Sequence, residues 1–209
     1  MSIITATQAL ERLRQGNLRF VSGLPKRSIQ PGHKRRIMVL EGQEPFAIVL
    51  GCSDSRVPAE LVFDQGLGDL FVIRVAGNIV APSQVGSVEF AAERFGTRLV
   101  VVLGHSSCGA ILATLEQIRR PAEVQSPNLR SIVDRVRPAV EPLLEAQGSD
   151  DREVLVERAV RANIRASANQ LRRGSPILEQ LIETEGLLVV GAEYSLESGV
   201  VDFFDGIPA

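Results

Sequence analysis

The sequence has no tryptophan, one tyrosine, two cysteines and two histidines in 209 residues. Two cysteines cannot build a disulfide framework, so a hydrophobic core must hold the fold, and a cytoplasmic location is the default. Neither sign of charge is in excess: 23 Lys and Arg face 25 Asp and Glu, a net charge of −2. That balance gives no reason to expect a nucleic-acid backbone as partner. Arginines gather between Arg152 and Arg173, but they alternate with Glu and Ala at helical spacing and read as a solvated helix face. No apolar run approaches the ~18 residues of a membrane span, so no membrane partner is expected. The opening "MSIITATQALERLRQGNLRF" lacks the basic and apolar regions of a secretory leader and reads as an amphipathic helix. Three common site types are missing too. Gly104 and Gly109 have phosphate-loop spacing with no Lys-Ser/Thr after them. "GLGDLF" lacks the third glycine of a dinucleotide fingerprint, and no Gly-x-Ser-x-Gly elbow occurs.

What is present is ordinary for a soluble globular chain, with 44% hydrophobic and 23% charged residues. Helical periods run from Ala6 to Phe20, ending near Gly23 and Pro25, and over 31–41, 84–95, 108–120, 127–147, 151–173 and 176–183. Apolar, β-rich runs at 45–52, 69–77, 97–105 and 186–195 read as buried strands, and "SGVVDFF" as an antiparallel edge strand. Strands alternating with helices predict a single α/β domain over 1–209, a small, mostly parallel sheet with helices on both faces. In such sheets ligands bind beyond the carboxyl ends of the strands.

Two strand ends carry unusual polar residues. "GCSDSR" offers Cys52, Asp54 and Arg56, and "GHSSCG" offers His105 and Cys108. Singly, a strand-end cysteine is a small buried hydrophobe, and Asp-Ser-Arg a surface turn whose ion pair is worth at most ~1 kcal/mol. Together they use all the cysteine in the chain. Two thiolates and an imidazole suit zinc and disfavour Mg²⁺ or Ca²⁺. Three protein ligands leave a fourth position, which is the catalytic pattern. Asp54, kept ionised by Arg56, is placed either to orient a zinc-bound hydroxide or to fill the fourth position itself. His33 is the other histidine and reads as a solvated loop residue.

"CSDSRVPAE", then "LFVIRVAGN", then "GHSSCGAI" closely resemble the β-class carbonic anhydrases, in their plant-like branch. The likeness runs from the "ALERLRQGNLRF" helix to the "GAEYSLESGVVDFF" hairpin. It implies zinc on Cys52, His105 and Cys108, an Asp54–Arg56 dyad, and reversible hydration of CO₂ to bicarbonate and a proton. The Gly109 N–H would help hold a substrate oxygen. Gln43, nine residues before Cys52, and Phe71 stand where the family's pocket has a glutamine and a phenylalanine. Phe90 falls where a tyrosine is expected, a departure that removes one hydroxyl from the pocket. Part of that pocket comes from a neighbouring subunit, so a homodimer or homotetramer is implied. The resemblance also implies sheet order 2-1-3-4 plus an antiparallel edge strand, with the N-terminal helix as an arm over the partner. The apolar stripe of that helix suits packing on its own domain equally well. Another branch binds regulatory bicarbonate beside a tryptophan, and a chain without tryptophan is not expected to share that site. Competing readings are hydrolysis of a CO₂ analogue such as carbonyl sulfide, or a non-catalytic structural or redox zinc protein.

Overall fold

Five apolar segments pair into one sheet: β1 (Ala47–Gly51), β2 (Leu70–Arg74), β3 (Leu99–His105), β4 (Leu188–Tyr194) and β5 (Val201–Asp205). The order is β2-β1-β3-β4-β5, with β5 alone antiparallel. This matches the order implied by the resemblance, including the edge strand. The computed structural model describes residues 4–24, 33–120, 126–145 and 151–208.

β1 and β3 are buried along their whole lengths, as strands covered on both faces must be. Their side chains alternate between two layers. Ile48, Leu50, Val100 and Val102 enter a core shared with α4 (Pro82–Arg94), α5 (Gly109–Arg119), α6 (Pro127–Glu145), α7 (Arg152–Arg173) and α8 (Pro176–Glu185). Ala47, Val49, Leu99, Val101 and Leu103 enter the opposite core with α1 (Ala6–Val21) and α3 (Ala59–Val62).

α1 starts at a capping box between Thr5 and Gln8. Its Ala6, Ala9, Leu10 and Leu13 lie in the second core, so the apolar stripe is used on the chain's own sheet. Asn17 fixes the other end of the helix. Its amide donates to the carbonyls of Val62 (3.1 Å) and Gly199 (2.9 Å), and its oxygen accepts from the Val201 N–H (2.9 Å).

α7 lies against β3 and β4 because two neighbouring strands carry glycine where it crosses. A Cβ on Gly104 would meet Ile164 Cδ1 at 2.5 Å, and one on Gly191 would meet Ile164 Cγ2 at 2.8 Å. Ile164, fully buried, fills the notch these glycines leave.

Several boundaries differ from expectation. The second strand stops at Arg74, and Ala76–Asn78 form a turn in which Gly77 (φ 71°) and Asn78 (φ 43°) are left-handed. α4 begins at Pro82, where the fixed φ of proline suits a first helical turn. α3 is unanticipated, since four residues are too few to show a period. The helix expected over 31–41 is α2 (His33–Met38), followed by bends at 39–41. Pro25, residues 31–32 and 146–147, and the His33 side chain lie outside the described residues.

Candidate metal centre and active site

β1 and β3 are parallel neighbours, with Gly51 opposite Leu103. The residue that follows β1, Cys52, and the last residue of β3, His105, therefore leave the same carboxyl edge side by side. A short loop, with Ser107 in the left-handed region (φ 56°), returns the chain so that Cys108 becomes the N-cap of α5. The ligating atoms of Cys52, His105 and Cys108 all lie within 4.8 Å of one another, and all three residues are buried.

His105 identifies what this cluster is for. Its Nδ1–H donates to the Ser106 carbonyl at 2.9 Å, which leaves the Nε2 lone pair facing inward. Nε2 is buried and has no hydrogen-bond partner. An unpaired buried acceptor costs about 1–3 kcal/mol, and a metal ion would remove that cost. The sulfurs agree. Two tetrahedral Zn–S bonds of ~2.3 Å place their sulfurs ~3.8 Å apart, and here Cys52 Sγ and Cys108 Sγ are 4.0 Å apart. The donor set and its spacing fit zinc.

The neighbouring Cys108, then His105 and the Gly77 N–H (3.4 Å from Sγ), lower the pKa of the Cys52 thiol against the opposing effect of burial. Cys108 is pushed up correspondingly, by Cys52 and by burial.

Asp54 stands beside this cluster with both oxygens committed. Arg56 donates to Oδ1 from Nε (2.9 Å) and from its backbone N–H (3.0 Å), and to Oδ2 from Nη2 (2.8 Å). These bonds, foremost the side-chain ones, hold the carboxyl well below the usual range, so it stays ionised. Oδ2 also lies 3.8 Å from His105 Nε2, on the ligand side. The Asp54–Arg56 pair is closed on itself.

Residues without a sequence signal hold this loop. Arg74, the last residue of β2, donates from Nε to the Cys52 carbonyl (3.0 Å) and from Nη2 to the Asp54 carbonyl (2.6 Å). The Ser106 hydroxyl accepts from the Leu196 N–H (2.9 Å), which ties the His105 loop to the β4–β5 connection.

The remaining expected site residues divide. Gly109 opens α5 directly after Cys108, with free space where a Cβ would stand. Gln43 is exposed in the segment before β1. Phe71 is the second residue of β2, paired in register with Ile48, about 10 Å short of the strand's carboxyl end at 3.3 Å per residue. It packs with Phe90 (6.2 Å between centroids) and Phe95 (6.0 Å) rather than with the ligands of its own chain. Phe90 is 54% exposed. A cavity of about 840 Å³ opens beside the loop, lined by Ser106, Ser107, Arg161 and Glu193 among others, but none of Cys52, His105 and Cys108 is in its wall. Its Arg161 is already paired with Glu193 (2.8 Å) and Asp202 (2.5 Å).

The chain is similar to proteins already known. The family model described as carbonic anhydrase matches residues 47–201. A carbonic anhydrase of Mycolicibacterium smegmatis is 40% identical over 194 residues, covering 93% of this chain and 91% of that one. Among solved structures, the β-carbonic anhydrase CafA of Aspergillus fumigatus superposes with a TM-score of 0.74 at 26% identity, covering 84% of this chain and 83% of that one. One of two tetrameric β-carbonic anhydrases from Sordaria macrospora gives 0.70 at 25% identity, covering 84% and 87%. A family match running from the first residue of β1 to the first residue of β5, with a named relative aligned along nearly the whole chain, places this protein in the β-class carbonic anhydrases.

Proposed function

We propose that this carbonic anhydrase interconverts carbon dioxide and bicarbonate at one zinc ion held by Cys52, His105 and Cys108, with Asp54 and Arg56 as its orienting dyad. The observation that carries the reading is the buried, unpartnered Nε2 of His105, set against two sulfurs at near-tetrahedral spacing. Zinc bound there would supply a Lewis acid that brings the pKa of a coordinated water close to neutrality. The chain's own groups do the rest. Asp54 Oδ2 accepts the hydrogen bond of the attacking water and turns its lone pair toward the substrate carbon. Arg56 keeps that carboxylate ionised and fixed. The Gly109 N–H, unpaired at the start of a helix, donates to the substrate oxygen on which negative charge develops.

Gln43, Phe71 and Phe90 complete the substrate pocket, and Phe71 and Phe90 do so across a subunit boundary in a homodimer or homotetramer. Phe71 on the edge strand β2 and Phe90 on α4 pack together beside that edge, which supports this, as does the tetrameric description of the Sordaria proteins. Phe90, without a hydroxyl, makes that wall drier than a tyrosine would. The chain works as one domain in the cytoplasm. No helix among the described residues is long and apolar enough to cross a membrane.

Metal analysis together with stopped-flow CO₂ hydration tests the reading. The expected result is about one zinc per chain, hydration well above the buffer rate, and loss of both on chelation. Full zinc occupancy with no rate above buffer would overturn it and make carbonyl sulfide the next substrate to assay.

A further inference from the structure

Two buried polar side chains of α7 have no part in the chemistry described so far. Asn163 and Ser167 are 2% and 5% exposed, and they lie four residues apart on one face of the helix. A polar side chain placed in a core is costly unless its hydrogen bonds are met. Both are met by the same short turn. Asn163 Nδ2 donates to the Gly77 carbonyl at 2.8 Å, and Ser167 Oγ donates to the Asn78 carbonyl at 3.0 Å.

That turn is poorly able to hold itself. Two of its three residues, Gly77 and Asn78, are left-handed, at φ 71° and 43°, and Asn78 carries strain that a glycine would not. Pinning two consecutive carbonyls fixes the two peptide planes that follow Gly77 and Asn78. The turn is also confined from the other side, where a Cβ at Gly77 would meet Ala110 Cβ at 3.0 Å. Held in this way, the Gly77 N–H points at Cys52 Sγ, 3.4 Å away.

We infer that Asn163 and Ser167 are positioning residues for the metal centre: through the Gly77 turn they aim a backbone N–H at the Cys52 sulfur. This rests on the zinc reading above. An N–H donated to a ligating thiolate draws charge from the sulfur and fixes its direction toward the metal. Outer partners of this kind typically contribute 10- to 100-fold to metal affinity or activity. The chain of contact runs from α7 across 86 residues of sequence to Gly77 and from there to the ligand.

The test compares Asn163→Leu and Ser167→Ala with Leu171→Ala. Leu171 is a fully buried residue of the same helix that takes no part in the turn, and its truncation reports what simple loss of stability does. Two quantities are read on folded protein: the rate of zinc release to a chromogenic chelator, and the thiolate-to-metal charge-transfer band of the cobalt-substituted protein. Release is expected to quicken about 10-fold or more in Asn163→Leu and Ser167→Ala. Their cobalt band should move to longer wavelength, because the sulfur is more electron-rich without its donor. Ser167→Thr, which keeps the hydroxyl, should restore both readouts. Leu171→Ala should lower Tm and leave both unchanged. If the two α7 variants lose Tm as Leu171→Ala does, with release rate and band like wild type, the positioning role is overturned. A wild-type protein that takes up cobalt with no thiolate band would overturn the zinc reading as well, so the two failures are separable.

Discussion

His105 spends one ring nitrogen on the Ser106 carbonyl and leaves the other bare inside the protein, and at the scale of single residues the whole site is organised around that bare atom. Asp54 is its counterpart, a carboxylate whose two oxygens are taken up by Arg56 and which still stands 3.8 Å from Nε2. Asp54→Asn should therefore keep zinc and lose chemistry. Metal content is expected to stay at the wild-type level while kcat for CO₂ hydration falls by about 100-fold or more. Metal analysis and stopped-flow on the same sample would check this, and zinc loss in that variant would mean that Asp54 serves as a ligand. The candidate ligands and the proposed dyad are legible in the sequence because each is a rare or charged residue placed at the end of an apolar run. Arg74 and Asn163 are not legible. They act by donating to main-chain carbonyls, which leave no mark on residue type or spacing.

At the scale of elements, the placement of α7 decides how well the carboxyl edge is supported. Ile164 occupies the notch made by Gly104 and Gly191, so the helix sits close enough to reach the turn behind Cys52. Gly104→Ala is expected to destabilise the protein by about 1–3 kcal/mol through overpacking, measured by urea unfolding. The double variant Gly104→Ala/Ile164→Ala should cost less than the sum of the single ones, because the second change removes the atoms the new methyl would strike. Additive costs would mean that α7 is not seated by this contact. The strands that form this surface are readable from sequence, since β1 and β3 are unbroken apolar runs. The left-handed turn after β2 is not. "RVAGN" continues the strand's apolar character for two residues beyond the point where the backbone leaves the sheet at Arg74.

At the scale of the whole molecule, β2 is an open edge of the sheet, and Phe71, Phe90 and Phe95 form an aromatic cluster beside it. If that cluster faces a neighbouring subunit's site, Phe90→Arg should shift the sedimentation profile to a smaller species and abolish CO₂ hydration. Zinc content should be unchanged, because the substitution lies away from the ligands. An unaltered profile with full activity would remove Phe90 from both the interface and the pocket. The opposite layer of the sheet has a different consequence, one that concerns synthesis. Among the described residues, Asn17 on α1 is satisfied by groups at Val62, Gly199 and Val201, and the last of these lies 184 residues further along the chain. At roughly 5–20 residues per second on the ribosome, that interval lasts on the order of 10–40 s. For most of it, only the Val62 carbonyl of these partners can reach Asn17, and the part of the apolar stripe of α1 that packs with β4 and β5 is the surface that a nascent-chain chaperone would meet.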